Sequence, residues 1–265
     1  MRVVLLAAWL LLFAAAPAHA TTETASRGAV SATLTFKADD FRDLHLKIVR
    51  AGKLLYDAAP SDPMCNDGCY PGRLHDDVAS VHVRDLDGDG EPEVLVDLYT
   101  GGAHCCFLAR VYSFDGSGYG EATQAFGNAD YRFGDVDRDG SAEFVSSDDR
   151  LAYEFAAYAF SVFPIRIWRY SGGAFADVTG RFRARVRKDA SAKWREYREA
   201  FVRHEFPPRG AAAAWAADEY RLGKRTQTLN TLRRLARRHE LPGGPPRSQP
   251  KFVAKLDAAL RKLGY

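Results

Sequence analysis

Asp85-Leu86-Asp87-Gly88-Asp89-Gly90-Glu91-Pro92-Glu93 returns fifty residues later as Asp135-Val136-Asp137-Arg138-Asp139-Gly140-Ser141-Ala142-Glu143. Acids at positions 1, 3 and 5 repel one another unless a cation neutralises them. Gly90 and Gly140, at position 6, permit the sharp turn that would curl those carboxylates onto one point. Calcium is a hard cation that takes about six to eight oxygens at about 2.3–2.6 Å. The first loop offers it Asp85, Asp87, Asp89, the Glu91 carbonyl and Glu93. The second offers Asp135, Asp137, Asp139, the Ser141 carbonyl and Glu143. Arg138 reduces the charge of the second, so the first is expected to bind more tightly. Two acidic turns without metal are the alternative.

The flanks of both loops read as strands. Leu44–Ile48, Leu54–Tyr56, Val78–Val83, Glu93–Tyr99 and Phe107–Tyr112 alternate or are rich in branched residues, with Ala51-Gly52, Gly101-Gly102 and Asp115-Gly116 at the breaks. Period-two patterning broken by Gly and Asp predicts antiparallel hairpins. Arg110-Val111-Tyr112-Ser113-Phe114-Asp115-Gly116 matches Arg166-Ile167-Trp168-Arg169-Tyr170-Ser171-Gly172 at an offset of 56. The second copy therefore carries about six extra residues, placed within Asp148–Pro164. Each copy reads strand, Asp loop, strand, hairpin, strand. The segment before Pro60 shows only one hairpin, Ile48–Tyr56, and is read as a degenerate third unit.

Neither loop is a helix–loop–helix hand. Position 12 of that motif needs a bidentate Glu, and Val96 and Ser146 stand there. The loops in their strand context resemble FG-GAP or VCBS-type repeats, the calcium-loop blades of β-propellers, over Ser80–Thr123 and Asp130–Thr179. The resemblance implies blade-like sheets with calcium in each Asp loop. Both loops end in Glu where that family more often has Asp. The β half is also too short for a closed propeller, which needs about four blades.

After Gly180 the period changes. Ala190, Trp194, Tyr197 and Phe201 form one helical stripe, ended by Pro207-Pro208. Ala211–Leu222 is a second helix with Gly223 as its terminator, Leu229–Ala236 marks a third, and Ser248 is placed to cap a fourth. The expected fold is α+β: antiparallel, partly propeller-like β repeats over 21–180, then a small helical region over 181–265.

The net charge of +3 hides an asymmetry, −12 over residues 21–180 and +14 over 181–265. The halves attract each other, or the basic helices at Arg181–Lys188 and Arg233–Arg238 meet a polyanion or an anionic envelope surface. Arg233, Arg234, Arg237 and Arg238 are read as one helical face.

Residues 1–20 read as a signal peptide: Arg2, an apolar run from Val3 to Ala16, and Ala18-His19-Ala20 before the cleavage point. No later stretch is apolar enough to span a membrane, so the mature chain is expected to be periplasmic or secreted. In such a compartment Cys65, Cys69, Cys105 and Cys106 should form disulfides. Pairings that staple the 65–69 loop onto 105–106 are preferred, because a vicinal bridge distorts the backbone. A zinc site that adds His104 is the other option.

Enzyme motifs are absent. There is no Gly-x-Ser-x-Gly and no phosphate loop, and Pro207 and Pro242 interrupt His204-Glu205 and His239-Glu240 before a second ligand arrives. The leading expectation is an exported, non-enzymatic module that presents calcium-stabilised repeats to a protein or glycan. The alternative is an exported hydrolase with its active corner near His104.

Overall fold

The computed structural model describes residues 20–73, 78–102, 105–204, 206–243 and 248–265. It contains three antiparallel sheets followed by four helices. The first sheet is a meander of β1 (Ala20–Arg27), β2 (Val30–Lys37), β3 (His45–Arg50) and β4 (Lys53–Ala58). The second holds β5 (Tyr70–Pro71), β6 (Val81–Arg84), β7 (Glu93–Gly102), β8 (Cys105–Phe114) and β9 (Tyr119–Gly127); β5 and β6 share one edge of β7. The third runs β10 (Arg132–Gly134), β11 (Glu143–Ser147), β12 (Ile165–Ser171) and β13 (Ala174–Asp177) in order. Strand, Asp loop, strand, hairpin, strand is thus the plan of both repeat copies. The described residues form no closed ring.

The segment before Pro60 is a complete four-stranded sheet, more than the single hairpin expected from sequence. Val30, Ala32, Leu34 and Phe36 alternate with Ser and Thr along β2, and all four are buried. They pack against Val81, Val83, Val94, Val96, Leu98 and Leu108 of the second sheet. The opposite face of that sheet, through Leu95, Ala109 and Val111, meets Phe144 and Tyr170 of the third. The second sheet is covered on both faces, so β7 is apolar on successive residues. The hairpin between β3 and β4 turns at Ala51 (φ 48°) and Gly52 (φ 77°), two left-handed residues that match the twist of the strands. Gly101 and Gly102 continue β7; they do not form the turn, and residues 103–104 lie outside the described chain.

Between β11 and β12 the second copy inserts two short 3₁₀ turns, Asp149–Leu151 and Tyr158–Phe160. Leu151, Phe155, Val162 and Phe163 from this insertion join the core of the helical half. That half comprises α1 (Arg183–Arg203), α2 (Arg209–Arg221), α3 (Arg225–Arg237) and α4 (Gln249–Lys262). Gly223 ends α2 with φ 80°, as expected. Ser248 does not cap α4 with its side chain; its hydroxyl accepts from Arg209 Nη2 at 2.8 Å. No helix among the described residues is long and apolar enough to cross a membrane.

The two halves are joined by ion pairs and hydrogen bonds of opposite origin. Asp189 of α1 accepts from the Ile165 amide at 2.9 Å, and Arg185 donates to the Val136 carbonyl at 3.3 Å. Asp148, almost fully buried, is the hub: it accepts from Arg150 and from the Tyr265 hydroxyl, and Arg221 lies 4.0 Å away. The Arg221 guanidinium stands over the Tyr265 ring at 4.5 Å. Tyr265→Phe removes one hydrogen bond to this charged hub and should cost about 1–3 kcal/mol, read as a lower denaturation midpoint at unchanged slope.

Candidate metal centre

Each Asp loop is closed by its last acid. Glu93 reaches back so that Oε2 accepts from the Leu86 amide at 2.8 Å, and Glu143 does the same to Val136 at 3.0 Å. The extra methylene of Glu makes that reach possible across the loop. The first acid organises the turn. Asp85 accepts from the Gly88 and Gly90 amides at 2.7 and 3.0 Å, and Asp135 from Asp139 and Gly140 at 3.1 and 3.0 Å. Gly88 is left-handed at φ 81°; Arg138 occupies the equivalent place at φ 64°, a conformation that disfavours a side chain.

Positions 1, 3 and 9 converge. Carboxylate oxygens of Asp85, Asp87 and Glu93 lie within 4.8 Å of one another, as do those of Asp135, Asp137 and Glu143. That span is about twice a calcium–oxygen bond, so one ion could touch all three. Asp89 and Asp139 fall outside the two clusters, and each accepts a local amide instead, from Glu91 at 2.8 Å and Ser141 at 3.1 Å. The Glu91 side chain is turned to Arg50, 2.7 Å away.

The loops differ in what neutralises them. In the second, the Arg169 guanidinium bonds Glu143, lies 2.8 Å from Asp139 and 3.5 Å from Asp137. Arg169 faces Glu143 across the β11–β12 ladder. The equivalent position in the first copy is Ser113. No Lys, Arg or His among the described residues pairs with Asp85, Asp87, Asp89 or Glu93. Glu93 is 3 % exposed, and its burial, with the charges of Asp87 and Asp89 beside it, pushes its carboxyl up to about 7. Arg169 is the residue that reading the loops alone overlooked. Its signal was present in the 56-residue repeat, which aligns Arg169 with Ser113.

The two loops also touch each other. Ala142 donates its amide to the Leu86 carbonyl at 2.7 Å, the Ser141 hydroxyl donates to the Asp87 carbonyl at 3.1 Å, and the Gly172 amide reaches the Asp87 carboxylate at 3.3 Å. A residue larger than Gly at 88 would meet the Gly140 carbonyl at 3.2 Å.

The cysteines pair within their segments, contrary to the expected cross-links. Cys65 and Cys69 are joined with Cα atoms 5.0 Å apart, and Cys105 and Cys106 are placed as a vicinal pair. The 65–69 loop is short enough to close on itself, and Cys106 points into the core while Cys105 stays exposed. His104, assigned above to a zinc or hydrolytic corner, lies outside the described residues, as do Glu205 and the signal segment through His19. Of the four arginines read as one face, Arg233, Arg234 and Arg237 lie in the last turns of α3 and Arg238 is its C-terminal cap. Arg233 and Arg237 line a groove with Val253 of α4, whereas Arg234 lines another with Trp194 and Trp215.

Two curated proteins are similar to this chain. One is a probable thylakoid lumen protein of Synechocystis, 30 % identical over 161 residues, 58 % of this chain and 47 % of that protein. The other is an uncharacterized protein of Sinorhizobium fredii, 31 % identical over 145 residues, 54 % of this chain and 23 % of that protein. The chain spans less than half the length of these relatives. No family model matches it, and no solved structure does.

Proposed function

We propose that this chain is an exported, non-enzymatic binding module whose blade-like repeats of the FG-GAP/VCBS type are stabilised by calcium in the first Asp loop. The observation that carries the reading is the convergence of Asp85, Asp87 and Glu93 with no counter-ion among the described residues, beside a sister loop whose counter-ion is Arg169. Three buried or half-buried oxygens of like charge are unfavourable together until a cation joins them. The donor set is all oxygen, which suits a hard cation such as calcium. In the second loop the guanidinium does part of that task, so calcium there must displace it. The lumenal name of the Synechocystis relative supports export, as does the leader-like start of the sequence.

Titration calorimetry tests this. The wild type should take up one calcium ion with Kd in the ~10⁻⁴–10⁻³ M range of extracellular modules. Arg169→Ser, which gives the second copy the residue of the first, should raise the stoichiometry to two. No heat of binding in either protein would remove calcium from the function.

A further inference from the structure

A second constellation lies away from the Asp loops. Asp97, at the centre of β7, is 1 % exposed. Three donors hold its carboxylate: Arg73 Nε at 3.2 Å, His82 Nε2 at 2.9 Å and the Tyr131 hydroxyl. Arg73 and Tyr131 alone would satisfy it, so the burial of Asp97 does not require His82. His82 instead stands in the wall of an open cleft of about 490 Å³, together with Arg84, Arg132 and Phe133.

The hydrogen bond to Asp97 fixes the imidazole. Nε2 donates to the carboxylate, which leaves Nδ1 with no partner among the described residues. Phe133 stands edge-on to the ring at 5.0 Å, and the Arg84 guanidinium lies over Phe133 at 5.4 Å. Arg84 and Arg132 are exposed and make no ion pair with a described residue. The acid that shares the cleft, Asp130, is taken by Arg73 Nη1 at 2.7 Å. Glu23, which approaches from β1, accepts from the Ser80 amide at 2.6 Å, and burial raises its carboxyl above the ordinary range. Two guanidinium groups without acidic partners among the described residues, beside an oriented imidazole, are complementary to a planar or tetrahedral oxyanion, which arginine binds in bidentate fashion.

We propose that this cleft binds a small oxyanion, a carboxylate or phosphate group, through Arg84 and Arg132, with the Asp97-oriented ring of His82 as its hydrogen-bonding wall. The site is independent of the Asp loops. Nuclear magnetic resonance of the His82 ring protons in the full mature chain, at constant ionic strength, is the measurement. Inorganic phosphate and malonate are titrated separately, and the probe that saturates at lower concentration names the preferred class. Half-saturation is expected at about 1–10 mM for so open a site. Arg84→Ala with Arg132→Ala should weaken saturation by about tenfold or more, as loss of charge-assisted hydrogen bonds does, at unchanged Tm. His82→Gln, which keeps a donor for Asp97, should weaken the binding of the preferred probe as well, read as enthalpy. The proposal falls if neither probe gives a saturable shift, if chloride gives the same shift, or if the double variant saturates like the wild type.

Discussion

Asp87→Ala is expected to abolish the calcium-dependent rise in Tm, while Asp137→Ala leaves most of it. At calcium about a hundredfold above Kd, binding to the folded state alone stabilises by about 2.7 kcal/mol. For a chain of this size that is a rise of about 5–10 °C. Asp87 lies in the cluster that has no counter-ion among the described residues, and no other described acid can replace it, since Asp89 is turned to the Glu91 amide. Its backbone carbonyl keeps the bond from Ser141 after substitution, so the contact between the loops survives. Asp137 has Arg169 3.5 Å away, and removing it leaves that guanidinium with Asp139 and Glu143. Calorimetric scans with calcium and with chelator decide the matter. An unchanged rise in Asp87→Ala, or its loss in Asp137→Ala alone, would overturn the assignment of the ion to the first loop.

The contrast between the loops explains what was and was not legible in the sequence. The repeat was, because period-two alternation and Gly-Asp breaks are local signals and the two copies reinforce each other. The insertion between β11 and β12 was also legible, as a change of offset from 50 to 56. The first sheet was read too cautiously: Val30, Ala32, Leu34 and Phe36 alternate as cleanly as any strand, but no Asp loop marks that segment. Arg169 was missed for a different reason. It is distant in sequence from the loop it neutralises, and only the ladder that pairs it with Glu143 brings it there. The Asp97–His82–Arg73–Tyr131 cluster joins four segments of chain, and no spacing rule reveals such a set. The cysteine pairing was not legible, because four cysteines allow three pairings and their spacing does not choose among them. The charge asymmetry was correct in sign, and contacts such as Arg221 to Asp177 at 3.7 Å show part of the basic excess facing the acidic half.

Asp218→Asn is expected to stabilise the protein strongly at neutral pH. Asp218 lies in α2, a helix rich in alanine, and is completely buried. Its carboxyl faces that of Asp189 on α1, and the two share a hydrogen bond only while one of them is protonated. Burial first, and then the charge of Asp189 on α1, pushes its carboxyl up to about 9, despite the opposing influence of Lys193 and Arg221. The folded protein therefore holds a proton that the unfolded chain releases above its ordinary value of 3.8. In the window between those two values the folded state binds more protons, so stability falls as pH rises. By pH 7 the accumulated loss is of order 2–4 kcal/mol, at about 1.4 kcal/mol per pH unit and reduced for structural relaxation. Asparagine keeps the shape and removes the titration, so the variant should melt about 5–15 °C higher at pH 7, by the same size scaling. It should also show a flatter dependence of stability on pH between about 4 and 9, with the two proteins converging at the acid end. Equal slopes across that window would mean that Asp218 is ionised and paired in the folded chain. The effect is separable from calcium, because the polar side chains of α2 reach Asp148, Asp177, Ser248 and Asp257 rather than the acids of either Asp loop, and the two variants should be additive within about 0.5 kcal/mol. If they are not, the helical half and the Asp loops respond to each other through β12, whose Ile165 amide is held by Asp189 and whose Arg169 reaches into the second loop.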